Sequence, residues 1–115
     1  MSIKIIKNPI SKSELADIAK EGFGDFVKAA VDIEQEIMAV GGELHADEEV
    51  LLTENEGSKR ESVWGINIYP KKSEGERIEF DSMINLKPLF GNRSRGVEDE
   101  ITRTKIQKIV EKLVI

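Results

Sequence analysis

Two stretches of alternating apolar residues, Phe26 to Glu34 and Ile37 to Leu44, lie back to back and constrain this chain more than anything else in it. Val27, Ala29, Val31 and Ile33 fall on one side of the first stretch, and a period of two is that of a half-buried strand. A connection at Gln35-Glu36 places Ile33 opposite Met38, Val31 opposite Val40 and Val27 opposite Leu44. The same register sets Lys28 across from Glu43 as a favourable charge pair. One register that satisfies both faces predicts an antiparallel hairpin. Gln-Glu is a poor two-residue turn, which leaves room for a longer loop.

The remaining elements follow from local signals. Ile3 to Lys7 reads as a short strand ended by Asn8-Pro9. Ser11 and Glu14 form a capping-box pair, Ile10 and Leu15 are spaced as a hydrophobic staple, and the helix they start stops at Gly22. Asp47 is placed to cap a helix running through Val50, Leu51 and Leu52 to about Gly57. Ser62 to Tyr69 reads as a strand, Pro70 to Glu76 as a polar loop, and Arg77 to Lys87 as a longer strand ended by Pro88. A last helix opens near Val97 and carries Ile106, Ile109, Val110 and Leu113 as an apolar stripe. The order β-α-β-β-α-β-β-α with hairpin-linked strands predicts an α+β fold, a mostly antiparallel sheet of about five strands with helices packed on one face.

Composition narrows the function classes. A chain of 115 residues with 39% hydrophobic content suits a single α+β domain spanning residues 1–115. The absence of cysteine removes disulfides, thiolate metal sites and cysteine nucleophiles, as a reducing compartment allows. The segment from Met1 to Lys7 is too short and too charged for a signal peptide. No apolar run reaches the roughly 20 residues of a membrane span. These points predict a cytoplasmic protein with no membrane partner. The net charge of −5 works against general nucleic-acid binding. Residues 1–86 carry 10 basic against 18 acidic side chains, whereas residues 87–115 carry 7 against 4. An anionic partner is therefore sought in the C-terminal quarter.

Three groups of residues can carry chemistry. In Gly91-Asn92-Arg93-Ser94-Arg95-Gly96, two glycines and successive amides before a helix can cradle an anion. Arg93 and Arg95 add forked donors, and Asn92 and Ser94 add hydrogen bonds. The plainer possibility is a connecting loop whose arginines pair with nearby carboxylates, and the spacing is not that of a P-loop. In extended form Glu43, His45 and Asp47 share one face, as a metal site or a base with its orienting group would require. His45 is the only histidine, which argues against zinc or non-haem iron. The plainer possibility gives Asp47 to a helix cap, Glu43 to Lys28, and His45 to a backbone carbonyl.

The third group is the polar side of the later strands. Pairing Ile68 with Ile78 puts Asn67 opposite Glu79 and Gly65 opposite Asp81, with Asn85 further along. Gly65 then leaves space above the sheet beside a carboxylate. Asp32 and Glu34 join this group if the two hairpins are neighbours. A solvated sheet face explains the same alternation. Trp64 and Phe80 read as core, and Phe23 and Phe26 as packing at a helix end, so the chain lacks the aromatic platform of single-strand binders.

Val31-Asp32-Ile33-Glu34, Gly41 to Asp47, Trp64-Gly65-Ile66-Asn67, and the run from Glu79 through Asn85 and Gly91 to Asp99 together resemble a small uncharacterised prokaryotic family, a domain of unknown function, over nearly the whole chain. The resemblance implies no activity, and no residue role is carried over from it. The residues themselves predict a domain that binds a small phosphate or carboxylate group through the 91–96 loop, with Asn92, Arg93, Ser94, Arg95, Asn85 and Asn67 as ligand-binding residues. A small hydrolase, phosphoester-directed, with His45 or Asp81 as base, is the first alternative. A protein-interaction module that self-associates is the second. No cofactor and no metal are expected.

Overall fold

The hairpin forms, but two residues out of the expected register. A computed structural model describes residues 2–115. In it β1 is Lys4–Ile6, α1 Lys12–Glu21, β2 Val27–Asp32, β3 Ile37–Val40, α2 His45–Glu56, β4 Val63–Ile68, β5 Ile78–Glu79 and α3 Glu100–Leu113. The α+β class and the order of elements agree with the sequence reading. In the β2–β3 hairpin Val31 faces Met38 and Ala29 faces Val40, so Ile33 to Glu36 make a longer loop. Asp32 builds that loop. Its Oδ1 accepts the N–H groups of Glu34 and Gln35 at 2.9 and 3.1 Å, and its Oδ2 accepts Gln35 Nε2 at 2.9 Å and Ser58 Oγ at 2.6 Å. Glu36 closes the turn with φ of 58°, in the left-handed region.

A shift of two residues leaves every side chain on its predicted face. It does remove the Lys28–Glu43 pair: β3 ends at Val40, and Gly41 (φ 93°) turns the chain away with its N–H donated to Lys28 O at 3.2 Å. A side chain at Gly41 would run into the Ser2 carbonyl, so glycine is required there.

The five strands form one antiparallel sheet in the order β1-β3-β2-β4-β5. One face carries Val27, Ala29, Val31, Met38, Val40, Trp64, Ile66 and Ile68, and α1 and α3 cover it with Leu15, Ala19 and the predicted stripe Ile106, Ile109, Val110 and Leu113. Ser11 caps α1 as predicted, accepting Glu14 N–H at 3.0 Å. The end of α3 is fastened to the start of α1, where Ile10 N–H donates to Leu113 O at 2.8 Å.

The opposite face carries Ala30, Ile37, Ala39 and Val63 under Leu52 of α2. The helices are thus divided between the two faces rather than gathered on one, because the second face is also apolar at its centre. Small residues there, Ala30 and Ala39, let α2 approach the strands closely.

The expected strand from Arg77 to Lys87 joins the sheet only over Ile78–Glu79, and Lys87 bridges to Asn92 instead. Beyond it the side chain of Asn85 takes over the work of a strand backbone. Its Oδ1 accepts Gly65 N–H at 2.7 Å and its Nδ2 donates to Gly65 O at 2.9 Å. The peptide groups of Gly65 are thus satisfied by an amide side chain, and the main chain runs on into short 3₁₀ turns at Met83–Asn85 and Pro88–Phe90. Gly65 does not leave an empty space beside Asp81, because Ser82 and Ile84 fill the volume a side chain would occupy.

Candidate functional site

The 91–96 loop is ordered by its own residues. Asn92 is buried, and its Nδ2 donates to the carbonyls of Asn85, Ser94 and Gly96 at 2.7, 3.1 and 2.8 Å. Its Oδ1 accepts Glu98 N–H at 2.9 Å. Ser94 Oγ accepts Gly96 N–H at 3.2 Å. The amide cradle expected for a ligand holds the chain's own carboxylate: Glu98 Oε2 accepts Arg93 N–H at 2.6 Å. That bond, followed by the Ser94 hydroxyl, holds the Glu98 carboxyl below the usual carboxylate range. Asn85 likewise spends its amide on Gly65 and on Arg95 O, the latter at 2.9 Å. Arg93 stands exposed, outside the cleft described next.

Arg95 points elsewhere. Its Nε donates to Asp81 Oδ1 at 2.7 Å, and both residues line a cleft of about 390 Å³ on the α2 side of the sheet. Lys28, Asn67 and Glu79 come from three adjacent strands, with Lys28 facing Asn67 and Asn67 facing Glu79 in the strand pairing. The start of α2 supplies Leu44 and His45, the 81–84 segment closes the other side, and Phe26, stacked on Phe23 at 4.9 Å, stands at one end. Asn67, Glu79, Asp81, Arg95 and His45 are brought together. Asn85, Asn92, Arg93 and Ser94 do not line the cleft, and Asp32 lies at the far end of β2, occupied by its loop.

His45 is the first residue of α2, so Glu43, His45 and Asp47 do not share an extended face. Leu44 occupies the N-cap position without a side-chain bond, and Asp47 sits exposed in the first turn rather than capping. The imidazole is buried, and Nε2 donates to Ile66 O at 2.8 Å, since a carbonyl can only accept. This bond to a backbone carbonyl leaves Nδ1 as an acceptor. Burial pushes the imidazole pKa down, so the ring is neutral at pH 7.

Two features escaped the sequence reading. The Lys28–Glu43 pair expected from the register does not form, and Lys28 borders the cleft instead. Glu48, fully buried one turn after His45, accepts Gly42 N–H at 2.9 Å through Oε2, while Oε1 has no partner. Burial pushes its carboxyl up to about 9, so it is protonated at neutral pH. The signal was present: His45, Glu48, Glu49 and Leu52 recur at helical spacing, placing acids where apolar residues belong. Among the described residues no group of three or more His, Asp or Glu side chains is arranged to hold a metal ion. No helix among them is long and apolar enough to cross a membrane.

The architecture is that of a small α+β protein with a polar cleft between its sheet and the start of α2. Residues 4–113 match the model of a protein family described as "Protein of unknown function (DUF5674)", and the chain belongs to that family. No curated protein and no solved structure matches it.

Proposed function

We propose that the protein binds a small ligand through a carboxylate or phosphate group, and that the anion sits in the cleft between Arg95 and Lys28. The loop thus takes part through Arg95, while its amides serve Glu98. The observation that carries this reading is the Asp81–Arg95 bond. It uses Nε alone, so the two terminal nitrogens keep their donors for a second, bidentate partner. Lys28 adds a cation that makes no ion pair among the described residues, its Nζ lying 5.2 Å from the Phe23 ring centre. The cysteine-free sequence supports a cytoplasmic setting. Calorimetric titration with inorganic phosphate and with acetate tests the proposal. Binding weakened about 10-fold or more in Arg95→Ala and in Lys28→Ala is expected, the scale of a lost charge-assisted contact. Binding unaltered in both variants contradicts it.

A hydrolase is the second reading, supported by the neutral imidazole that shares the cleft with Asp81 and Arg95. In it His45 Nδ1 serves as the base and Asp81, already paired, orients Arg95. Turnover of p-nitrophenyl phosphate that is lost in His45→Gln supports it, and turnover unchanged in that variant excludes His45 as the base. A self-associating module is supported by the exposed Leu89 and Phe90, and sedimentation of the chain as a monomer at all concentrations opposes it.

A further inference from the structure

We infer that the ligand of this cleft is a zwitterion of the amino-acid class, with an ammonium group beside its anionic group. The inference rests on the anion-binding reading above and adds the chemistry of the ligand's other end. Asn67 is 7% exposed, and its Nδ2 donates to Glu79 Oε1 at 2.8 Å. A carboxylate only accepts, so this bond fixes which way the amide points. Oδ1 is left with no donor. A buried acceptor without a donor is a standing cost that a ligand N–H or O–H removes.

The surroundings favour a charged donor over a neutral one. The Glu79 carboxylate that holds the Nδ2 of Asn67 lines the same cleft, so a cationic group there has a carboxylate to meet. The cleft as a whole is lined by Lys28 and Arg95 against Glu79 and Asp81, with a neutral His45. These charges balance. A simple anion or a simple cation leaves an uncompensated charge in a partly desolvated site, whereas a zwitterion leaves none. At the rim, Leu44 and Met83 are 55% and 62% exposed, an apolar surface suited to an aliphatic side chain.

Three probes with one carbon skeleton test this on the full chain: leucine, isocaproate, which lacks the ammonium, and isoamylamine, which lacks the carboxylate. Leucine is expected to bind at least about 10-fold more tightly than either, the scale of one charge-assisted hydrogen bond. Asn67→Leu is expected to bring leucine down to the level of isocaproate. If that variant does not fold, the comparison on the unaltered protein still decides. Leucine and isocaproate binding equally, with both weakened in Arg95→Ala, overturns the zwitterion and keeps the anion site. Carboxylates indifferent to Arg95→Ala overturn both. Isoamylamine binding as tightly as leucine also overturns the inference.

Discussion

Asn85 grips Gly65 by both of its backbone groups, its amide accepting at 2.7 Å and donating at 2.9 Å. A side chain here ends a sheet that the sequence pattern would have continued, and it holds the wall of the cleft against β4. Asn85→Ala leaves the N–H and C=O of Gly65 and the carbonyl of Arg95 without this partner in a buried place. A loss of roughly 2–4 kcal/mol follows from stranding such groups. Urea unfolding checks it, and a midpoint within error of the parent contradicts the assignment.

Gly65 and Ser82 share one volume. Gly65→Ala pushes a methyl group into Ser82 and costs about 1–3 kcal/mol, the range for overpacking. Ser82→Gly made in the same chain removes the atoms in conflict, so the double variant is expected to recover part of that loss. Additive losses in the double variant refute the steric account.

Much of the frame was legible in the residues. Ser11, Gly22 and the stripe from Ile106 to Leu113 carry their information locally, in caps and periods that need no distant partner, and each stands where it was read. The β2–β3 register was harder to see because Asp32 spends its carboxylate on a loop, a bond no alternation pattern records. The strand expected after Glu79 stops early for a related reason: Asn85 looks like any polar strand residue until Gly65 is known to face it. At the site, Asn67, Glu79 and Asp81 are legible as one polar group, and Asn67 does face Glu79, but Arg95 and His45 belong to separate stretches of sequence. The β2–β4 pairing adds Lys28, and the Arg95–Asp81 bond brings in the loop.

Glu48 gives the fold a pH dependence of stated sign. Its carboxyl is raised from 4.5 to about 9, chiefly by burial, with the Gly42 N–H, Lys28 and Asp47 as smaller influences. The folded state therefore keeps a proton that the unfolded state gives up above about pH 4.5. Stability is complete below that point and falls as pH rises toward 9, by about 1.4 kcal/mol per unit where the difference is fullest. Glu48→Gln is expected to abolish the decline between pH 7 and 9 and to be the more stable protein at pH 9. Parallel stability curves for the two proteins contradict it.

His45 acts in the opposite direction. Burial lowers its pKa below 6.5, so the unfolded state takes up a proton first, and stability falls as pH drops below about 6.5. His45→Gln, which keeps a donor for Ile66 O, is expected to flatten this acid-side loss in unfolding curves. A variant as acid-sensitive as the parent points to another group.

The central claim is that the anion sits between Arg95 and Lys28, and shift mapping in ¹⁵N-labelled protein tests it most directly. Titrated phosphate is predicted to move the amides of Lys28, His45, Asn67 and Arg95, with the movement lost in Arg95→Ala. Movement confined to Arg93 and Glu98, or unchanged in that variant, contradicts the account.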